Sequence, residues 1–233
     1  MTLGRAASAE AVGTAMLLAI VVGSGIMGER VAQGNAAIAL LANSVATGAG
    51  LYALIVTFGP VSGAHFNPVV SVVSAWGGRL SPRQTFIYVL AQVIGAFIGV
   101  ASAHLMFGMP IIQISTHVRP TIGEGFGELI ATFGLVLVIL LGLKFRADAI
   151  PAAVAAYITS AYWFTSSTSF ANPAVTMARA ATDTFSGIRP GNVPAFISAQ
   201  VTGLAIAIPL WQWLRQTSSK ATEETKSMGR AAK

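Results

Sequence analysis

Cysteine is absent from the 233-residue sequence, which excludes disulfide bridges and thiolate metal sites. Charge is scarce as well: Asp, Glu, Lys and Arg make up 9% of the chain, where a soluble domain of this size carries about a quarter. The net charge of +6 does not point to nucleic acid, because the basic residues are spread over loops and tail and form no helix face. Three histidines are present; His104 and His117 lie in different contexts, so no metal site follows. No nucleophile, base and orienting group fall into a catalytic pattern, which argues against an enzyme, and no cofactor is implied.

What fills the chain instead is apolar: 54% of residues are hydrophobic and the mean hydropathy is +0.70. Stretches near the ~20 residues needed to cross a bilayer recur along its length. Spans are predicted near 6–27, 35–58, 83–107, 124–145, 150–166 and 192–214. The first is too long, and lacks the small-residue cleavage pattern, for a removed signal peptide. Two pieces, 67–77 and 172–182, are too short to cross. Each opens on Asn-Pro, and each follows a stretch rich in Gly or Ser/Thr. They read as re-entrant half-helices with Asn as N-cap and Pro at the first helical position.

An internal repeat joins these pieces. Ala9-Glu10-Ala11-Val12-Gly13-Thr14 answers Gly127-Glu128-Leu129-Ile130-Ala131-Thr132; Asn67-Pro68-Val69-Val70-Ser71 answers Asn172-Pro173-Ala174-Val175-Thr176; Ala91-Gln92-Val93-Ile94-Gly95 answers Ala199-Gln200-Val201-Thr202-Gly203. The first repeat occupies 1–107, a connecting loop 108–123, the second repeat 124–214 and a polar tail 215–233. Three spans per half, an odd number, invert the second half, so the two Asn-Pro loops enter from opposite faces and meet near the midplane. Ten of the 14 basic residues fall on one side if the N-terminus is cytoplasmic, against Arg30, Arg119, Arg179 and Arg189 on the other. That asymmetry predicts both termini inside.

Two half-helices that meet in this way direct the positive ends of their dipoles at one point, where cations are repelled. The amides of Asn67 and Asn172 can donate to a passing oxygen while loop carbonyls accept from it. Glu10 and Glu128 would be costly unpaired in hydrocarbon and are functional candidates on that ground; their matching repeat positions suggest instead struts that hold the re-entrant backbone. Gly95 to Gly99 fits a small-xxx-small helix contact.

The motifs Ala9-Glu10 to Thr14, Ser62 to Val69, Ala91-Gln92 to Gly99 and Asn172-Pro173-Ala174 resemble those of the aquaporin, or major intrinsic protein, family over residues 6–214. The resemblance implies an all-α membrane protein of six transmembrane helices and two half-helices in an inverted repeat. It also implies a homotetramer with one pore per subunit and passive conduction of small neutral solutes, in a lipid bilayer that is the bacterial inner membrane. The pore centre would be formed by Asn67, Pro68, Val69, Asn172, Pro173 and Ala174, with His65 near its cytoplasmic half. Counting from the motifs puts the selectivity filter on Thr47, Ser160, Ser169 and Val175, with Thr159 or Ala161 replacing Ser160 if the count slips by one.

Two departures stand out. Val69 replaces the alanine of the first motif. Val175 stands where the family has arginine after the second. Small residues at all four filter positions predict a wide ring with one apolar wall, which favours glycerol-like polyols over strict water selectivity. Arg179, four residues after Val175 and on the same helix face, reads either as a vestibule cation or as an interfacial residue reaching lipid headgroups. The run Tyr162-Trp163-Phe164 to Ala171 resembles a bacterial subgroup associated with arsenic resistance, whose solute would be neutral arsenite; its aromatics could also narrow the ring. The alternatives are a water-selective pore narrowed by other residues and an ion-coupled transporter, which also uses inverted repeats and broken helices.

Overall fold

The computed structural model describes residues 2–119 and 121–216. Eight α-helices run in chain order among them: α1 (Leu3–Val31), α2 (Ala36–Ser62), α3 (Pro68–Trp76), α4 (Pro82–Met106), α5 (Ile122–Phe145), α6 (Ile150–Phe164), α7 (Pro173–Arg179) and α8 (Val193–Leu214). Five of them, α8 with its preceding 3-10 turn included, are long and apolar enough to cross a membrane. The 15-residue α6 is extended at its start by the 3-10 turn Ala147–Ala149. The second half-helix stops at Arg179, short of the predicted 182. Almost all of the tail, from residue 217 onward, lies outside the described residues.

Local chemistry fixes where these helices begin. Asn35 accepts from the N–H groups of Ala37 and Ile38. Ser81 with Gln84, and Thr121 with Glu124, form capping boxes, in which two otherwise free N–H groups are satisfied reciprocally. Asn67 and Asn172 cap α3 and α7, with Pro68 and Pro173 at the first helical position.

Packing repeats in the two halves. α1 lies along α4, and α5 lies along α8. A Cβ on Gly95 would overlap the Ala11 carbonyl, and one on Gly203 would overlap that of Leu129; the missing side chain lets each pair of backbones close up. The half-helices cross over: besides its own half, α7 packs on α4 of the first half and α3 on α8 of the second, while α2 meets α6. The main hydrophobic core lies between the halves and includes Leu18, Val22, Leu54, Phe66, Val100, Leu135, Ile158 and Ala174.

The segment after α4 folds over the region between α7 and α8. Ser115 N donates to Ala180 O at 3.0 Å, and Arg189 N to His117 O at 2.7 Å. Thr116 donates through N and Oγ1 to Asp183 Oδ1 at 2.8 and 2.9 Å. The backbone N–H of Thr116 and then its hydroxyl hold the Asp183 carboxyl below its usual value. His117 is pushed down by burial first, then by Arg119 and Arg179.

Candidate functional site

The two re-entrant loops approach their asparagines with the same unusual backbone. Gly63, Ala64 and Phe66 in the first, and Thr168, Ser169 and Ala171 in the second, all have positive φ, between 47° and 90°. These are the positions four, three and one before each asparagine. Left-handed conformations cost non-glycine residues about 1 kcal/mol or more each, so something must hold them.

Two buried carboxylates do. Glu10 accepts from Ser62 Oγ and His65 N through Oε1, at 2.6 and 2.9 Å, and from Phe66 N and Gln92 Nε2 through Oε2, at 2.7 and 2.8 Å. Glu128 accepts from Phe170 N, Ala171 N and Gln200 Nε2 at 2.8, 2.8 and 2.6 Å. Each glutamine amide also reaches the half-helix of its own repeat, at Ser71 Oγ and Thr176 Oγ1, both at 2.9 Å. Both carboxylates are thus committed to backbone and amide donors, which satisfies charge that hydrocarbon would otherwise penalise.

Where the loops meet, their asparagines interlock. Asn67 Nδ2 donates to Ala171 O, and Asn172 Nδ2 to Phe66 O, each at 2.8 Å. Their Oδ1 atoms cap α3 and α7. An amide nitrogen has two N–H donors, so each asparagine keeps one beyond this cross-link. Pro68 and Pro173 are buried at the helix starts. Val69 and Ala174, the third motif residues, are buried in the packing behind them.

Both asparagines line a cavity of about 650 Å³. Past them in one direction its wall includes Thr47, Tyr162, Ser169, Val175 and Arg179; in the other it includes His65, Ser74, Trp76 and Trp211. The His65 ring lies 5.4 Å from that of Tyr88, and its Nδ1 is 3.1 Å from Ser71 Oγ.

Ser160 is not part of this wall, which corrects the count from the motif. Its side chain is on the exposed outer face of α6, and its Oγ donates to Tyr157 O at 2.7 Å. The cavity face of α6 carries Val154, Ile158 and Tyr162. Ser160 sits two residues from Ile158 and from Tyr162, about 200° around the helix from each. Neither one-residue slip reaches the wall: Thr159 bonds back to Ala155 O, and Ala161 is fully buried.

At the level of Thr47 the residue supplied by α6 is Tyr162, whose hydroxyl lies 3.2 Å from Thr47 Oγ1. The cavity wall beside Thr47 therefore carries one large aromatic residue, where the count from the motif led to small residues only. Trp163 and Phe164 are about half exposed and stay outside it. Nothing within α6 marks Tyr162 over its aromatic neighbours; only the helix phase selects it.

Arg179 is 2% exposed, so the reading that puts it among lipid headgroups does not hold. Its Nε donates to Ser186 O, and its Cζ lies 3.4 Å from the centroid of Phe170. Arg119 is buried beside it, with Cζ 5.1 Å from the same ring and donors to Gly187 O and Ser167 O at 3.0 and 3.2 Å. The only ion pair among the described residues is Arg146–Asp148.

Helices that cross a membrane, inverted halves and half-helices meeting inside a cavity define an integral membrane protein built around a pore. The family described as "Major intrinsic protein" matches residues 1–148. The aquaglyceroporin AqpS of Rhizobium meliloti is 51% identical over 96% of this chain and 95% of its own length. Aquaporin NIP1-2 of Arabidopsis thaliana is 36% identical over 33% of the chain. The structure of the aquaglyceroporin from Plasmodium falciparum superposes with a TM-score of 0.69 at 21% identity, covering 91% of this chain and 95% of that one. The chain belongs to the major intrinsic protein family, the aquaporins.

Proposed function

We propose that the protein is a passive channel for small neutral hydroxylated solutes: water, glycerol and comparable polyols, and neutral metalloid hydroxides such as arsenite. The observation that carries this reading is the single cavity lined by both asparagines. Each keeps a free N–H donor, and both sit at the positive ends of half-helices. A neutral solute exchanges its water partners there for amide and carbonyl groups, whereas a cation is disfavoured by the positive ends of the half-helices.

The composition of the ring points beyond water alone. Thr47, Tyr162 and Ser169 supply hydroxyls, and Val175 faces the cavity without charge. A ring that is polar on part of its wall and apolar elsewhere suits the carbon and hydroxyl faces of a polyol. The name of the Rhizobium relative supports glycerol; the subgroup resemblance of the 162–171 run supports arsenite. The orientation with both termini cytoplasmic, residence in a bacterial inner membrane and assembly as a homotetramer belong to the same proposal.

Proteoliposomes challenged in parallel with water, glycerol, urea and arsenite test it. Flux of each down its gradient, undiminished by an uncoupler, is the expected result. Accumulation of any solute against its gradient would replace the channel with a coupled transporter. Val175→Arg should lower glycerol and arsenite flux more than water flux; equal rates for all solutes before and after would remove Val175 from the filter.

A further inference from the structure

The two halves share a scaffold, but one carries charge where the other does not. The position matching Arg179 in the first repeat is Ser74, which also lines the cavity. The other cations that reach the cavity wall, Arg79, Lys144 and Arg215, are exposed, and solvent screens them. Arg179 is buried and screened far less.

No acid among the described residues contacts it. Asp183 Oδ1 accepts from Thr116, and Glu128 is committed to Phe170 N, Ala171 N and Gln200. The protein partners of Arg179 are the Ser186 carbonyl and the Phe170 ring, and Arg119 adds a second positive charge at the same ring. Among the described residues the terminal nitrogens of Arg179 donate to no acceptor, and the residue lines the cavity. Ser169 Oγ, on the same wall, is buried and has no partner either. A fixed cation and an unused hydroxyl therefore face the solute path next to Val175.

We propose that Arg179 is the specificity-determining cation barrier of this pore. It stands one helical turn, ~5.4 Å, beyond the uncharged Val175 on the same face of α7. From there its guanidinium rejects small monovalent cations while neutral hydroxylated solutes pass. The proposal rests on the channel reading above and assigns charge selectivity to a residue outside the ring.

The test compares methylammonium with glycerol permeability in proteoliposomes. Arg179→Gln should raise the methylammonium-to-glycerol ratio about tenfold or more, the size expected for removing a poorly screened charge within several ångströms of the path. Arg179→Lys, which keeps the charge, should hold the ratio near that of the native protein. A glutamine variant that conducts glycerol without a cation leak overturns the proposal, and so does an equal leak in both variants, which would assign Arg179 to packing.

A second measurement leaves Arg179 in place. Because the chain has no cysteine, Val175→Cys introduces a unique thiol one turn away. Its reaction with an anionic methanethiosulfonate, relative to a cationic one, should be favoured about tenfold over the ratio for free cysteine. A ratio equal to that of free cysteine overturns the proposal. A native protein that passes no neutral solute would instead count against the channel reading, with the thiol ratio still deciding the role of Arg179.

Discussion

The two re-entrant loops share a frame and differ in their cargo. Both hold three left-handed residues before the asparagine, clamp two backbone N–H groups on a glutamate, and link that glutamate through a glutamine amide to a half-helix hydroxyl. The residue two before the asparagine differs. In the first loop it is His65, set against Tyr88. In the second it is Phe170, set against Phe196 and beneath two arginines. The groups common to both loops hold the left-handed backbone that brings the two asparagines together. The groups that differ give the two ends of the cavity different chemistry.

The largest effect should come from breaking the shared frame. Glu10→Ala or Glu128→Ala strands two buried backbone donors and a glutamine amide, at a cost of about 3 kcal/mol or more. Thermal unfolding in detergent should show comparable losses for the two. A much smaller loss in one would mean that the frames are not equivalent.

The next effect concerns the difference between the loops. Phe170→Leu removes the ring beneath two guanidinium groups and should cost about 2 kcal/mol. His65→Leu gives up one ring contact and one hydrogen bond, about 1 kcal/mol. Equal or reversed losses by the same unfolding measurement would show that the arginines do not depend on that ring.

A smaller effect separates the two faces of α6. Tyr162→Phe deletes a ring hydroxyl and should change the glycerol-to-water flux ratio by about fivefold, whereas Ser160→Ala should leave it unchanged. A response to Ser160 alone would restore the count that the structure overturns.

The smallest expected effect is one of pH. Asp183 has a depressed pKa in the folded protein, so its contact with Thr116 contributes above the ordinary carboxylate value of 3.8. The contribution is lost as pH falls from there through the lowered value. Protection of the Thr116 amide, measured as its exchange rate relative to an unstructured amide at the same pH, should fall across that window in the native protein. In Asp183→Ala that protection should be low at neutral pH and should show no further fall there.

Much of this was legible in the residues because the chain states it twice. Glu10 with Glu128, Gln92 with Gln200 and Asn67 with Asn172 occupy matching positions, so the same clamp is built in each half and the two asparagine loops come together between them. The residue that α6 sets in the cavity wall beside Thr47 was not legible, since it depends on helix phase and on how compactly residues 165–171 return to the asparagine. A count along an irregular segment carries neither. The spacing from Val175 placed Arg179 on the right face but could not supply its depth. That depth comes from Ser186, from Phe170 and from the segment around Arg119, which folds over it from a distant part of the sequence.

The asparagine cross-link has a consequence for the order of synthesis. Its two bonds join residues 104 and 106 positions apart, so at ribosomal speeds of about 5–20 residues per second the first half waits roughly 5–20 s for its partner. Throughout that interval Phe66 O and the Asn67 amide lack the partners they have in the finished chain. The cross-link is therefore a product of chain completion, and a chain terminated before Ala171 and Asn172 lacks it.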